Sequence, residues 1–441
     1  MEDDGERTLE QQEVFVETNS HVEHLPFSLS RQVWVQAVAR SLYQAGYGAI
    51  QFFIPLIFVN QVGLSATAVG IGIGSGSLAG IFGHLLGGYL ADSQAYGRKR
   101  ALLFSAGLSI LAAIALALTQ SLPMLVVANL LMGLSAGCYW TAADATVIDV
   151  TAPEQRHKAF AVLVLADSLG GGMGIWAGGI LLALAHQAQV LFLVDSLILL
   201  MFLVLILTAV TETRQDNLDH SDTLQGFVVA LRDRSLLLFV LVNVLFTTYI
   251  ALVSSTLPLY FINIVSISSE STASVTSIEN VANLYTWFYV GLGAVLQVPL
   301  VQVLSSLPKV RVLVISMLLW AAGFFLVWAT GMVASMQVIW MIVSLSILSV
   351  AAIIYKPFAP TIVAELAPES LRGAYLAISY QCWSIGYFIG PVLGGWAIDQ
   401  SGMIAHSLWV VAAISALFSL FILYFLGQNQ ASNPVESIAR G

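Results

Sequence analysis

Apolar residues in this chain neither alternate nor form the one-sided stripes of a soluble helix; they come in runs of about 20, each closed by a short polar connection. A run of about 20 apolar residues crosses a bilayer as an α-helix. Twelve such runs are predicted, centred near Gly48, Ser77, Leu111, Met132, Gly171, Leu200, Ile250, Val290, Leu319, Ser346, Trp383 and Ala416. Lipid offers no partner to an unpaired peptide group, so helices are the element that suits these runs. The pattern lapses at an acidic tail (1–30), a central linker (213–234) and a second tail (429–441). These lapses leave a six-helix half at 31–212 and another at 235–428. The expected fold is therefore all-α and membrane-embedded.

Composition agrees. Hydrophobic residues make up 58% of the chain and charged residues 9%, against about 25% charged in a soluble domain. The formal charge of −9 comes largely from the first 24 residues, a polar stretch that cannot bury a core, and it argues against a nucleic-acid partner. The opening MEDDGERTLEQQE is acidic where a signal peptide is basic, so the first span is expected to act as the targeting signal. Cys138 and Cys382, the two cysteines, fall inside predicted spans and read as packing residues, with no metal or disulfide framework and no cofactor implied.

Charge also sets orientation. Arg7, Arg31, Arg98, Lys99, Arg100, Arg156, Lys158, Arg214, Arg232, Arg234, Lys309, Arg311, Arg372 and Arg440 fall on one side of the twelve spans, and the opposite connections carry neither Lys nor Arg. The positive-inside rule makes that side cytoplasmic. Both termini are then expected in the cytoplasm and the protein in the plasma (inner) membrane. Arg40 and Lys356, the two remaining cations, lie within spans.

The chain repeats itself. IPLIFVN (Ile54 to Asn60) matches LPLYFIN (Leu257 to Asn263) at an offset of 203, the difference between 257 and 54. Arg156, Gly170, Gly174, Gly178 and Gly179 match Arg372, Gly386, Gly390, Gly394 and Gly395 at an offset of 216, the difference between 372 and 156. The outer loop SISSESTASVTSIEN accounts for the added length. Two parallel six-helix repeats with a site between them at mid-membrane describe a rocking transporter. Glycines at every fourth position in helices 5 and 11, and eight more in helix 2, form small faces that suit either tight packing or sliding between the halves.

GGYLADSQAYGRKR (Gly87 to Arg100) resembles the signature of the major facilitator superfamily between helices 2 and 3, carried here by Gly88, Asp92, Gly97, Arg98 and Lys99. Two extra residues separate Asp92 from Gly97, and Ser93 stands where the pattern usually has arginine. GPVLGG (Gly390 to Gly395) resembles a family motif that drug-proton antiporters carry in helix 5, but here it lies in helix 11. Helix 5 reads GIWAGG, with Ile175 in place of proline, and Asn129 occupies the place of the antiporters' helix-4 arginine. The resemblance covers nearly the whole chain and implies the twelve-helix fold of that superfamily, drug and metabolite exporters included. It also implies a latch, in which Asp92 and its neighbouring cations close against helix 11. A carboxylate at a helix C-terminus opposes the dipole there, so Asp92 needs a partner in any case.

Ionisable groups inside a membrane cost about 3 kcal/mol or more each and usually face the interior and pair. Arg40, Gln44, Tyr47 and Gln51 form one stripe of helix 1, expected to line the cavity; Asn243, Thr247 and Ser254 match three of them in helix 7. Asp167 and Lys356 are each about 15 Å deep by helical rise, one in each half, and are expected to pair in one state and part in another. For Arg40 and Asp144 a structural ion pair is expected, and for Asp195 a helix-start hydrogen bond. Trp140, Tyr139 and Tyr355 suit either an amphipathic solute or packing between helices. Single histidines, His84 and His186, and the absence of a nucleophile elbow or paired-His spacing argue against an enzyme or sensor. Two readings remain open: a monomeric exporter of small amphipathic organic compounds driven by protons, with Asp167 or Asp144 titrating, or a transporter of an organic anion or other polar solute held by Lys356 and Arg40.

Overall fold

The computed structural model describes residues 29–93, 96–152, 155–185, 187–213, 228–265, 277–333, 336–368 and 371–432. The acidic tail, most of the linker and of the outer loop, His186, Arg7, Arg214, Arg440 and the side chain of Arg372 lie outside the described residues.

Among those residues the chain forms twelve long helices. They are α1 (Arg31–Asn60), α2 (Ala66–Asp92), α3 (Gly97–Leu118), α4 (Leu122–Asp149), α5 (Arg156–Ala185) and α6 (Ala188–Ala209), then α7 (Arg234–Val265), α8 (Ile278–Leu304), α9 (Lys309–Met332), α10 (Gln337–Leu366), α11 (Arg372–Asp399) and α12 (Gly402–Ser432). Eleven are long and apolar enough to cross a membrane. The other, α11, carries Ser379, Gln381, Ser384 and Asp399 and so reads as less apolar than its neighbours. Several starts are capped by side chains: Ser30 accepts from Val33 N, Ser65 from Ala68 N, and Asp233 from Ser235 N, each such cap being worth about 1 kcal/mol. α7 and α8 contain π-helical turns at Leu252–Thr256 and Tyr285–Gly291.

The packing repeats with the sequence. α5 lies on α1 as α11 lies on α7, and α3 pairs with α4 and α6 as α9 pairs with α10 and α12. The glycine faces explain the closeness: a Cβ at Gly170 or Gly174 would run into the Ser41 or Ala45 carbonyl of α1, and at Gly386 or Gly394 into Thr247 or Thr256 of α7. Those every-fourth glycines therefore pack within a half in this conformation, as the tight-packing reading expects. A different set lies between the halves. Gly70 and Gly74 of α2 meet Pro391 and Phe388 of α11, Gly395 of α11 meets Ala66 of α2, and Gly172 and Gly179 of α5 meet Val290 and Ala282 of α8.

Candidate functional site

Basic residues at the starts of α3, α5, α7 and α9 mark one end of the bundle, the basic face. The contacts just named between halves lie in the part of the bundle remote from it. There Asp399, at the last turn of α11, accepts from Ala66 N (2.8 Å), Thr67 N (2.7 Å) and Thr67 Oγ1 (2.5 Å), capping α2 across the interface. The free N–H groups and positive dipole end of α2 suit a carboxylate. Phe52 of α1 packs on Tyr285 of α8 with centroids 4.9 Å apart. The halves are thus closed away from the basic face, and solvent reaches groups between them: the Asp144 side chain is 44% exposed and Lys356 is exposed.

In the first half, Arg40 of α1 is the hub. Its Nε donates to Asp167 Oδ1 (2.8 Å) and Oδ2 (2.9 Å) of α5, and its Nη1 to Asp144 Oδ1 (2.8 Å) of α4. The guanidinium lies over the Trp140 ring, 4.5 Å from its centroid. The planar fork of Arg suits this, since it can serve two carboxylates and an aromatic face at once. The expected structural pair of Arg40 with Asp144 is present, and Asp167 joins it. Asp167 and Lys356 make no hydrogen bond or ion pair with one another in this conformation, though their charges act on each other across the halves. Arg40 is also committed to these carboxylates, so it is not free to hold a substrate anion in this conformation.

Around the hub, Tyr43 stacks on Tyr139 at 3.6 Å, and Gln51 donates to Tyr47 Oη at 3.0 Å. Gln44 Oε1 is buried with no hydrogen-bond partner among the described residues, and Asp195 Oδ2 likewise, so the helix-start bond expected of Asp195 is absent. His84 does have a partner: its Nδ1 lies 3.1 Å from Thr141 Oγ1.

The matching place in the second half is neutral. Asn243 of α7 is buried, donates to Ser379 Oγ (3.0 Å) of α11 and accepts from Tyr355 Oη of α10. Thr247 donates to the Cys382 carbonyl (2.7 Å), which turns it toward α11 rather than the cavity. Tyr355 stacks on Phe246 at 4.3 Å. Beside them Lys356 makes no hydrogen bond or ion pair with its ammonium among the described residues, and it lines a recess with Asn243, Ser379, Tyr380 and Trp383.

At the basic face the signature loop forms a second cluster. Arg98 bridges Asp92 Oδ1 (2.5 Å) and Asp149 Oδ2 (3.1 Å). Glu212, just beyond α6, accepts from Arg98 N (2.8 Å) and Lys99 N (3.1 Å) at the start of α3. Its carboxylate fits because residue 97 is glycine, at φ 79°, where a Cβ would collide with it. Lys99 Nζ reaches the Leu207 carbonyl (2.9 Å). Each partner just named belongs to the first half; the expected closure against α11 is not among these contacts in this conformation. Gly88 faces Thr141 of α4, also within the half.

The profile of the Major Facilitator Superfamily matches residues 37–277 and 261–440. The chain belongs to the major facilitator superfamily. It is 23% identical to the "Uncharacterized MFS-type transporter YttB" of Bacillus subtilis over 394 residues, 86% of this chain and 92% of that one. It is 23% identical to the "Multidrug resistance protein MdtH" of Escherichia coli over 385 residues, 86% and 90% of the two chains. Among solved structures it is similar to the nucleoside transporter NupG (TM-score 0.76, 12% identity, 90% of this chain and 99% of that). It is also similar to a peptide transporter POT in complex with sulfate (TM-score 0.75, 15%, 91% and 95%).

Membership of the superfamily makes this a secondary membrane transporter of a small molecule, not an enzyme. Several residues of these clusters escaped the sequence reading. Asp399, Asp149 and Glu212 stand at helix ends, where their partners are backbone groups or lie far along the chain. Trp383 did carry a signal, since the 216 offset pairs it with Asp167.

Proposed function

We propose that this transporter is a proton-coupled exporter of small amphipathic organic compounds, monomeric in the plasma membrane, with both termini and the basic face in the cytoplasm. The observation that carries the reading is one arginine held between two carboxylates, Asp167 about 15 Å deep by helical rise and Asp144 nearer the basic face and in contact with solvent. Arg40, Asp144 and Asp167 together carry one net negative charge when all are ionised. A proton on either carboxylate neutralises the group and frees one arm of the guanidinium, which gives the cluster two states that differ in the contacts tying α1, α4 and α5. Transport by alternating access needs such a difference, because a ligand shifts an equilibrium only by binding one state better. The name of the Escherichia coli relative supports export of drug-like compounds.

The test is efflux of a fluorescent amphipathic dye from proteoliposomes under an imposed pH gradient. Gradient-driven efflux is expected in the native protein and should fall about 100-fold in Asp167→Asn, as for other essential proton-transfer groups. Undiminished gradient-driven efflux in that variant would remove Asp167 from the mechanism. The exposed Lys356 favours a second reading, transport of an organic anion, in which the proton cluster is unchanged and the second half holds the charge of the substrate.

A further inference from the structure

The two halves carry the same shell of side chains with its chemistry rearranged. At the 203 offset Arg40 and Tyr43 correspond to Asn243 and Phe246, and at the 216 offset Tyr139 and Trp140 correspond to Tyr355 and Lys356. The geometry repeats too: Tyr43 stacks on Tyr139 with 21° between planes, and Phe246 on Tyr355 with 20°. Each shell holds one cation and one indole, Arg40 with Trp140 in the first half and Lys356 with Trp383 in the second. What differs is the anion. The positions of Asp144 and Asp167 are taken in the second half by Pro360 and Trp383, so that shell has a cation and no carboxylate of its own.

Lys356 is exposed between the halves and makes no hydrogen bond or ion pair among the described residues; the opposing charge that acts on it is that of Asp167 in the first half, which Arg40 already holds, so an ammonium at this depth still has room for an anion of its own. Tyr355, Tyr380 and Trp383 line the recess beside Lys356, and Tyr387 continues the row next to Trp383. Tyr380, Trp383 and Tyr387 follow one face of α11 at spacings of three and four, Trp383 and Tyr387 lie near-parallel with centroids 6.0 Å apart, and Tyr380 is 54% exposed. Ser379 and Asn243, at the base of the recess, are already bonded to each other and to Tyr355, so the ammonium is the group with free donors. Aromatic side chains take planar rings in offset-stacked or edge-to-face contact.

We infer that the second half binds a planar aromatic monocarboxylate, whose carboxylate on Lys356 supplies the anion that the first half draws from its own chain and whose ring lies along Tyr380, Trp383 and Tyr387. This deepens the organic-anion reading above and rests on it. Arg40 and its two carboxylates exclude a second anion from the first half, so one carboxylate per transporter is taken.

The probe is 2-naphthoate, titrated into the purified full chain by calorimetry beside its neutral isostere 2-naphthamide and its saturated analogue decalin-2-carboxylate. A charge-assisted bond to the ammonium predicts that 2-naphthoate binds about 10-fold tighter than 2-naphthamide. Lys356→Gln should erase that difference and Lys356→Arg should keep it; Lys356→Met is the alternative neutral variant if the glutamine protein does not elute as a single species. Trp383→Leu should cost 2-naphthoate about 5-fold and decalin-2-carboxylate about 2-fold at most. Equal binding of amide and acid, or of saturated and aromatic acid, overturns the inference, as does unchanged 2-naphthoate affinity in both neutral variants. Failure of proton coupling reads out separately. If a pH gradient drives no efflux while 2-naphthoate binds through Lys356, the proton-export reading falls and this site stands; dye efflux driven by the gradient without 2-naphthoate binding has the opposite meaning.

Discussion

One half of this transporter neutralises its buried cation with its own chain, and the other does not. Arg40 has two carboxylates and an indole around it; Lys356, in the corresponding shell, is exposed beside an indole, makes no ion pair among the described residues and feels only the charge of Asp167 from the opposite half. The fold is the same in both, down to α5 packing on α1 and α11 on α7. The difference lies in a few positions lining the cavity, where Asp144 and Asp167 face Pro360 and Trp383 across the repeat. A repeat preserves packing positions because they hold the fold, and it leaves cavity positions free to diverge in charge. On the proposed function, divergence of that kind lets one half respond to protons while the other contacts the solute.

The largest effect that breaks this comparison is expected from Arg40→Gln. Removing the cation leaves two carboxylates facing each other near mid-membrane, and losing one partner of a buried pair costs about 3 kcal/mol or more. Solvent at Asp144 lowers that figure. Asn243→Ala, at the corresponding position, loses neutral hydrogen bonds worth about 1 kcal/mol each. Thermal unfolding in detergent should therefore fall clearly more for Arg40→Gln than for Asn243→Ala, and Arg40→Gln with Asp167→Asn should recover part of the loss. Equal losses at the two positions would mean that the halves do not differ electrostatically in the way the geometry indicates.

These contrasts were partly legible in the sequence. The twelve runs, the 203 and 216 offsets and the stripe from Arg40 to Gln51 follow from residue spacing, because a membrane helix needs a set length and lining residues recur at helical intervals. Partner choice did not follow. Depth alone set Asp167 level with Lys356, and the two charges do act on each other, but in this conformation the hydrogen bonds to Asp167 come from Arg40, one helix away in the same half, whose Nε–H is shared between both carboxylate oxygens. Spacing also left the glycine faces between two uses. Gly170 and Gly174 serve α1, whereas Gly70 and Gly74, in an equally glycine-rich helix, serve the opposite half. Which neighbour a face meets is a tertiary property that periodicity does not encode.

A second, smaller effect sharpens the comparison at the closed end. Asp399 bonds directly from one half to the other, accepting from three donors at the start of α2, the Thr67 hydroxyl among them. The symmetry-related contact of α5 with α8, at Gly172 and Gly179, is apolar packing. Asp399→Asn keeps the size and removes the charge facing the α2 dipole, a loss of about 1 kcal/mol. A loss of that size shifts the balance between closed and open outer ends about fivefold. Spin labels at Gln61 and Ser401, on the two sides of this contact, should show a larger long-distance population in the variant. No change would assign closure to the glycine packing instead.

The smallest effect concerns the basic face, where the halves differ again. The first half has a hub in which Arg98 joins Asp92 and Asp149 while Glu212 holds the start of α3. The second half has, among the described residues, a single exposed pair between Lys309 and Glu365. Exposed pairs contribute about 0 to 1 kcal/mol, so Glu365→Gln should leave transport rates unchanged. Asp92→Asn loosens α2 from the loop that must move with it, and about a threefold slower transport rate with unchanged substrate affinity is expected from a loss near the upper end of that range. Equal losses of rate and affinity would place Asp92 in substrate binding, contrary to its position at the end of α2. A rate loss in Glu365→Gln as large as in Asp92→Asn would make the basic faces equivalent and confine the asymmetry of the halves to the cavity.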